Sequence, residues 1–245
     1  MNLPPPLGSK EALFLDFDGT LVDLAPRPDA VSVSSGLPDV LARLRDRLQG
    51  AVAVISGRPI TEIDHHLAPL HLPAAGLHGL EHRSMPGADI IQDLPSVEID
   101  ALKAALEGSD VLRGGVFLET KGPALAVHYR ASPDKEQDVR RFMAETVGAM
   151  PDLHLVEGKM VVEAKPNTTD KGHALRKFMD HAPFAERVPI FIGDDVTDED
   201  GHAAAQALGG FGVKVGAGES CARFRLEDVA AVHAWLAAEP ISAEN

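Results

Sequence analysis

The sequence predicts an α/β protein whose doubly wound parallel sheet is interrupted by a small inserted α+β domain. Short, continuous apolar runs alternate with helix-like stretches in the first and last thirds of the chain. This alternation is typical of parallel strands joined by right-handed crossovers. In the middle third, two helical stretches alternate with two hairpin patterns, which favours antiparallel pairing. We therefore expect a core domain formed by residues 1–85 and 165–245, and an α+β domain over residues 86–164.

The first part of the core is predicted from three apolar runs and two helical patterns. Buried strands are indicated by ALFLDF, which enters a turn at Asp18-Gly19, and by AVAVI, which stops at a Ser-Gly-Arg-Pro segment. Four leucines spaced three or four residues apart indicate one face of a helix. In chain order we expect the strand 12–17, the helix 37–48, the strand 51–55, the helix 61–67 and the strand 74–77.

The insertion and the second part of the core are predicted in the same way. Gly122-Pro123 and Glu157-Gly158 are expected to form the turns of the two hairpins. The insertion should contain the helix 97–106, the strands 116–121 and 124–130, the helix 134–147 and the strands 153–156 and 159–164. The core should resume with the helix 171–181, the strand 188–192, the helix 199–207, the strand 211–215 and the helix 226–237.

The composition excludes several classes of function. The formal net charge of −14 argues against a nucleic-acid-binding surface, because affinity for phosphate backbones depends on Lys and Arg. Cys221 is the only cysteine, so no intrachain disulfide can form. No apolar run approaches the roughly 18 residues of a membrane helix, and the first residues lack the apolar centre of a signal peptide. We expect a cytoplasmic monomer that binds neither nucleic acid nor membrane.

Three polar segments each follow a predicted strand. They are DFDGT at 16–20, SGR at 56–58 and GDDVTD at 193–198. In an open parallel sheet, ligands bind beyond the carboxyl ends of the strands. The three segments are therefore expected to meet in one crevice, and Lys171 begins a helix that could enter the same space.

The acidic residues of these segments indicate a metal site. Asp16 and Asp18 are two residues apart, and neighbouring carboxylates repel each other unless a cation lies between them. Asp194, Asp195 and Asp198 add to the same negative cluster. A few hard oxygen ligands suit Mg²⁺, which also binds substrate phosphate. We therefore expect Mg²⁺ as the cofactor.

Four segments together resemble the signatures of haloacid-dehalogenase (HAD) phosphohydrolases. They are DFDGTLVD at 16–23, Ser56, Lys171 and GDDVTDED at 193–200. They occur in the expected order and span most of the predicted core. The resemblance implies a Rossmann-like HAD core with a parallel sheet, over which the α+β insertion would close as a cap domain.

A finer resemblance extends into the insertion. The segments GLHGLE at 76–81, LETKGPALAVHYR at 118–130 and GKMVVEAKP at 158–166 are similar to trehalose-6-phosphate phosphatases. One departure is Gly201-His202, where that family would have Ala-Phe. This pair lies past the acidic run, so the departure concerns local packing.

The resemblance also implies roles for the residues of the crevice. Asp16 would be the nucleophile that forms an aspartyl-phosphate, and Asp18 the general acid and base. Ser56 and Lys171 would hold the phosphoryl oxygens. Mg²⁺ would be bound by Asp16, the backbone carbonyl of Asp18 and Asp194.

Further roles are implied for supporting and substrate-binding residues. Asp195 and Asp198 would support Lys171 or the metal shell. In the cap, donors alternate with acceptors, as the hydroxyls of a disaccharide require, and Lys121, Lys159 and Glu163 would contact the second glucose. The full substrate-binding set implied is Thr20, Gly57, Arg58, His78, Glu119, Lys121, Arg130, Lys159 and Glu163.

Each signal has a structural alternative when it is taken alone. A serine such as Ser56 is often a helix cap, and Lys171 could be a solvated helix residue. Glu119, Lys121 and Arg130 could form cross-strand ion pairs on an exposed face.

The expected function is Mg²⁺-dependent hydrolysis of trehalose 6-phosphate. The alternatives are a phosphatase of another phosphosugar, such as sucrose 6-phosphate or a phosphoglycosyl-glycerate, a phosphomutase, and an inactive sugar-phosphate-binding regulatory module.

Overall fold

The chain folds into two compact units in the computed structural model. The model describes residues 2–24, 31–92, 97–121, 124–158, 160–167 and 170–238. The first unit, called here the core unit, contains Met1–Ile91 and Asp170–Asn245, and the second, the insertion unit, contains Gln92–Thr169. None of the described helices is long and apolar enough to cross a membrane.

The core unit is built on an eight-stranded sheet. The strands before the insertion are β1 Glu11–Leu15, β2 Val52–Ile55, β3 Ala74–Gly76, β4 Glu81–Arg83 and β5 Ile91–Gln92. The strands after it are β10 Val188–Gly193, β11 Phe211–Val215 and β12 Phe224–Leu226, because β6 to β9 belong to the insertion unit. Their spatial order is β12-β11-β10-β1-β2-β3-β4-β5. The strands from β12 to β3 pair in parallel, and β4 pairs antiparallel with β3. The central strands are apolar along their length because both faces of the sheet are covered.

Helices cover this sheet in two layers. The helices of the core unit are α1 Leu37–Arg47, α2 Ile60–Leu67, α5 Lys171–Met179, α6 Glu199–Ala207 and α7 Val229–Ala237. The connections from β1 to β2 and from β10 to β11 leave the centre in opposite directions, so right-handed crossovers place α1 and α6 on opposite faces. The helix α1 packs against α7, and α5 packs against α6. The predicted doubly wound α/β core is confirmed.

The insertion unit is a four-stranded antiparallel sheet with two helices. Its elements are α3 Val97–Glu107, β6 Phe117–Lys121, β7 Ala124–His128, α4 Glu136–Val147, β8 Leu153–Gly158 and β9 Val161–Pro166, and the strand order is β6-β7-β9-β8. Side chains alternate between the faces, so Leu125, Val127 and Val162 join a buried cluster with residues of both helices. Glu119 and Glu163 are carried by the opposite face.

The turn of the second hairpin differs from the prediction. Glu157 and Gly158 belong to β8 and pair with Val162 and Val161, so they do not form the turn. The chain reverses between Gly158 and Val161 instead, and Met160 has a φ of +65°. Short hairpin turns need such positive φ values, and here Met160 supplies one although glycine is the usual choice. Lys159, predicted to begin a strand, lies outside the described residues.

Short strands at the sheet edges account for the other differences. The strands β4, β5 and β12 contain only two or three residues, which is too short for a clear alternation pattern. Leu226 ends β12, where it pairs with Val215, so the predicted last helix does not begin there. That helix begins at Val229 because the Asp228 side chain caps it, accepting a hydrogen bond from the N–H of Ala231 at 2.8 Å.

Candidate active site

An acidic cluster lies at the carboxyl ends of the two central strands. Asp16 follows β1 and Asp194 follows β10, and these strands are neighbours in the sheet. Asp198 lies in a short 3₁₀ helix, Val196–Asp198, that leads into α6. One carboxylate oxygen from each of the three aspartates lies within 4.8 Å of the others. The parallel register therefore brings together residues that are far apart in the sequence.

Lys171 is the cation of this cluster. It is the first residue of α5, and the helix start is fixed by the Asp170 side chain, which accepts a hydrogen bond from the N–H of His173 at 2.6 Å. The buried Lys171 Nζ donates to Asp16 Oδ1 at 2.7 Å and to Asp198 Oδ1 at 2.6 Å. The other oxygen of Asp198 accepts from the backbone N–H of Asp195 at 2.9 Å. Both oxygens of Asp198 are thus bonded, and Asp198 tethers Lys171.

The protonation equilibria of the cluster reflect burial first and the neighbouring charges second. Burial raises the pKa of Asp16 to about 7; the adjacent Lys171 ammonium opposes this increase and the Asp198 charge adds to it. Burial lowers the pKa of Lys171, but the charges and hydrogen bonds of the two aspartates outweigh it, so the pKa lies above its ordinary value. Burial and the Asp198 charge also raise the pKa of Asp194. The two buried ammonium groups at the cluster, Lys171 and Lys214, do not compensate its three carboxylates.

A divalent cation fits this arrangement. Asp194 Oδ1 is buried and has no hydrogen-bond partner among the described residues, as expected of an oxygen that binds a cation. Gly19 lies beside it with a φ of +77°, and any Cβ at that position would collide with the Asp194 carboxylate. Carboxylate oxygens are ligands that Mg²⁺ prefers. Asp16 and Asp194 are the best candidates for ligands, because both oxygens of Asp198 already accept hydrogen bonds.

The side chain of Asp18 is bound elsewhere. Its two oxygens accept hydrogen bonds from Arg58, from Nε at 2.6 Å and from Nη2 at 2.8 Å. The Asp18 carboxylate is therefore not part of the acidic cluster. The contribution predicted for Asp18 at the metal is its backbone carbonyl, and that stays a prediction.

The segment after β3 folds against the Ser-Gly-Arg loop. Ser56 is buried, and its Oγ accepts a hydrogen bond from the backbone N–H of Arg58 at 3.2 Å. His78 has a φ of +58°, and its N–H donates to the Ser56 carbonyl at 3.0 Å. A Cβ on Gly57 would lie 2.8 Å from His78 Nε2, so the histidine ring requires glycine there. The structure thus brings together four of the predicted site residues.

Thr20 and Asp195 lie close to the cluster in the sequence but are used differently. Thr20 is fully buried, and its Oγ1 has no hydrogen-bond partner among the residues described. Asp195 caps the short 3₁₀ helix, accepting a hydrogen bond from the N–H of Val196 at 2.6 Å. Asp195 therefore shapes the loop that carries Asp194 and Asp198.

The described site residues of the insertion unit, Glu119, His128, Arg130 and Glu163, are partly or fully exposed to solvent. His128 Nε2 lies 2.7 Å from Glu119 Oε2, and the His128 ring stacks on Phe117 with 4.6 Å between centroids. Arg130 borders the same cavity as this stack. Glu163 forms an ion pair with Lys165 at 2.9 Å.

Two predicted lysines of the insertion are not placed by the structure. Lys121 is the last residue of β6, but its side chain lies outside the described part of the chain, and so does the whole of Lys159.

One buried residue of the site was not predicted. Lys214 lies in β11, is almost fully buried, and its Nζ donates to the backbone carbonyl of Asp194. The charge of Lys214 also favours the ionised form of Asp194. The signal in the sequence is a lysine inside the apolar strand FGVKV, where a charged residue needs a specific partner.

The departure at Gly201-His202 has a packing explanation. A Cβ on Gly201 would lie 2.6 Å from the ring of Phe191. The buried His202 ring meets Phe191 edge-on, with 5.3 Å between centroids. Burial lowers the pKa of His202, so the ring packs as a neutral aromatic. The pair therefore belongs to the interface of α6 with β10.

Comparison with known families decides the assignment. The family model described as trehalose-phosphatase matches residues 14–230, which include the core segments and the whole insertion. The chain belongs to the trehalose-phosphatase family. It is similar to the trehalose-6-phosphate phosphatase of Escherichia coli, with 40% identity over 95% of this chain and 87% of the relative.

Solved structures give the same family and fold. The trehalose-6-phosphate phosphatase of Aspergillus fumigatus superposes with a TM-score of 0.77, 27% identity and coverage of 95% of this chain and 97% of the other. A phosphatase of the haloalkanoate (HAD) superfamily from Bacteroides thetaiotaomicron, 19% identical, has a TM-score of 0.65 and shares the fold, with coverage of 92% of both chains. The predicted HAD core and family are confirmed.

Proposed function

We propose that this protein hydrolyses trehalose 6-phosphate to trehalose and inorganic phosphate. The observation that carries the proposal is the buried pair of Asp16 and Lys171 at the carboxyl end of β1, in a chain of the trehalose-phosphatase family. The relative from Escherichia coli, which is named as a trehalose-6-phosphate phosphatase, supports this choice of substrate.

Asp16 is proposed as the nucleophile. In the first step a carboxylate oxygen of Asp16 bonds to phosphorus while the bond from phosphorus to the sugar oxygen breaks, giving an aspartyl-phosphate. Asp18, in its acid form, passes its proton to the departing sugar oxygen and becomes a carboxylate. In the second step Asp18 removes a proton from water, whose oxygen attacks phosphorus and releases phosphate and free Asp16.

The phosphoryl oxygens need cationic and hydroxyl partners. Lys171 Nζ already contacts Asp16, so it can also reach a phosphoryl group that bonds to this carboxylate. The buried Ser56 hydroxyl is proposed as a second donor. When bound by Asp16, Asp194 and the Asp18 carbonyl, Mg²⁺ would supply the positive charge that allows a phosphate dianion to approach a carboxylate.

Polar residues on one face of the insertion sheet are proposed to bind the second glucose. Glu119, His128, Glu163 and Arg130 present acceptors and donors, which a sugar ring with many hydroxyls requires, and Lys121 and Lys159 are proposed to join them. We propose that the insertion acts as a cap that excludes water while the leaving group departs. A cytoplasmic location and a monomeric state remain predictions.

Phosphate release from a panel of sugar phosphates tests the proposed function. The panel contains trehalose 6-phosphate, sucrose 6-phosphate, glucose 6-phosphate and a phosphoglycosyl-glycerate, each with Mg²⁺ and with EDTA. We expect the largest kcat/KM for trehalose 6-phosphate and loss of activity in EDTA that added Mg²⁺ restores.

Each alternative gives a different result in this assay. A preference for another phosphosugar would reassign the substrate, and transfer of phosphate back to sugar would indicate a mutase. Binding of trehalose 6-phosphate without phosphate release would indicate a regulatory module. Asp16→Asn serves as the inactive control.

A further inference from the structure

The geometry points to Arg58 as a positioning residue that orients Asp18, and not as a ligand of the substrate phosphate. This departs from the substrate-binding role that the sequence predicts for Arg58. It rests on the proposed function, in which Asp18 exchanges a proton with the leaving group and with water.

All three nitrogens of the Arg58 guanidinium donate to side chains of its own unit. Nε and Nη2 donate to the two oxygens of Asp18 at 2.6 and 2.8 Å, and Nη1 donates to Glu62 Oε2 at 3.1 Å. Each of the three nitrogens therefore has a carboxylate partner. Three of its five N–H groups are used in this way, and two of them hold both oxygens of Asp18.

Arg58 is also the fixed member of its pair with Asp18. Its side chain is 9% exposed, whereas that of Asp18 is 32% exposed. The guanidinium carbon lies 5.7 Å from the centroid of the buried Phe17 ring. Its backbone is held as well, because its N–H donates to Ser56 Oγ and its carbonyl accepts from the N–H of Leu77 at 3.0 Å.

This two-point contact restricts the rotation of the Asp18 carboxylate. A general acid must present one oxygen to the leaving group in a defined direction, and a misplacement of about 1 Å can cost about 100-fold in rate. Two parallel N–H···O bonds define the plane of a carboxylate, which a single ammonium cannot do. Arg58 thus orders Asp18 while leaving its exposed edge available for proton transfer.

The first test compares Arg58→Ala and Arg58→Lys with the matched variant Glu62→Gln. We expect Arg58→Ala to lower kcat for trehalose 6-phosphate about 100-fold, the lower range for loss of general acid–base catalysis. The KM, and the inhibition constant of inorganic phosphate measured with p-nitrophenyl phosphate, should change less than about twofold. Arg58→Lys should lower kcat about tenfold, because lysine keeps the positive charge but lacks the two parallel N–H donors of the guanidinium.

Glu62→Gln keeps the contact between Arg58 and Asp18, so its kcat should fall less than about threefold. Circular dichroism and thermal unfolding check the fold of each variant. An inhibition constant for phosphate that rises tenfold in Arg58→Ala would make Arg58 a phosphate ligand and overturn the inference. Equal losses in Arg58→Ala and Glu62→Gln would also overturn it, because they would indicate a structural role.

The second test uses the leaving group. Nitrophenolate departs without a proton, so the first turnover of p-nitrophenyl phosphate by Arg58→Ala should stay within about threefold of wild type in rapid mixing. In an Asp18→Asn background, Arg58→Ala should add less than about threefold to the loss on the sugar phosphate. Independent, multiplying losses would contradict an action through Asp18.

These measurements also separate this inference from the substrate assignment. If wild type hydrolyses a different sugar phosphate, the same comparison is made with that substrate, because its leaving group is also a sugar alkoxide. If the wild type does not hydrolyse trehalose 6-phosphate, the proposed function is wrong. If the Arg58 variants do not show the expected differences, only this inference is wrong.

Discussion

The buried charges of the core unit and the exposed charges of the insertion unit are organised in opposite ways. In the core unit the side chains of Lys171, Asp16 and Asp198 are 4%, 6% and 0% exposed, and hydrogen bonds join them directly. In the insertion unit the side chains of Glu119 and His128 are 41% and 25% exposed and form one pair. The two units therefore hold their polar groups with very different rigidity.

This difference teaches which task each set of residues suits. Buried charges keep one geometry because any loss of a partner leaves an uncompensated charge, and a fixed geometry is what covalent chemistry on phosphate needs. Exposed pairs add little to stability and exchange partners easily with water or with sugar hydroxyls. This difference supports the proposal that the core unit breaks the phosphate ester bond and the insertion unit selects the substrate.

The largest effect is expected from Asp16→Asn. Turnover should fall on the order of 10⁴-fold or more with every phosphate ester, because the variant lacks the proposed nucleophile. Phosphate release from trehalose 6-phosphate and p-nitrophenyl phosphate measures it. Substantial activity in the variant would contradict the proposal that Asp16 attacks the phosphate.

Although Asp16→Asn should abolish activity, it should stabilise the metal-free fold at high pH. Because the folded pKa of Asp16 is raised to about 7, the metal-free protein should lose stability as the pH rises from about 4 through 7, the range in which the unfolded chain already carries the charge. In EDTA at pH 8, Asp16→Asn should therefore unfold at a higher temperature than wild type. A lower Tm would contradict the excess negative charge in the cluster.

Lys171→Met is expected to be nearly as damaging. It leaves Asp16 and Asp198 without their shared ammonium, so kcat should fall about 10³-fold and the free energy of unfolding by about 3 kcal/mol at pH 8. The stability loss should be smaller at pH 5, where carboxylates can protonate. Arg176→Met, which changes an exposed residue of the same helix, is the control, and equal losses in both would refute the role of the buried ammonium.

The exposed face of the insertion unit should show smaller, substrate-dependent effects. Glu119→Ala and Lys121→Ala should each lower kcat/KM for trehalose 6-phosphate about tenfold, roughly the effect of one lost hydrogen bond to a charged group, and change it less than about twofold for p-nitrophenyl phosphate. Glu145→Ala, on exposed α4, is the matched control. Equal losses on both substrates would contradict the proposal that this face of the insertion unit selects the substrate.

The smallest effect on activity is expected at a buried ion pair outside the acidic cluster. Arg83 donates to Asp64 at 2.5 and 2.6 Å. Burial disfavours the ionised form of Asp64, but Arg83 and His71 outweigh it and lower its pKa. The stability from this pair is therefore present above pH 4, the range of an unfolded carboxyl group, and is lost as the pH falls further.

Asp64→Asn tests this pair. It should lower the free energy of unfolding by about 2 kcal/mol at pH 7, with kcat unchanged, because it leaves Arg83 buried without its charge partner. Denaturant unfolding at pH 7 and pH 3 measures the difference, which should shrink at the lower pH. A large fall in kcat would contradict the expectation that the pair of Arg83 and Asp64 contributes only to folding.

Much of the architecture follows from local sequence patterns. The central strands are continuous apolar runs, and each is followed by a polar segment, so the sheet and its ligand-binding edge could be predicted from the printed residues alone. The short strands β4, β5 and β12 were not predicted, because two or three residues carry little periodic signal; β3, which is as short, was predicted from its apolar residues.

The sequence by itself therefore determined the α/β class, the family and the segments that line the site. The tertiary structure decided which side chains meet. Lys171 donates to Asp16, which is 155 positions away in the sequence, and Arg58 donates to Asp18, which is 40 positions away. Such pairings depend on which strand ends become neighbours and on which charges burial forces to find partners, and both are properties of the packed molecule.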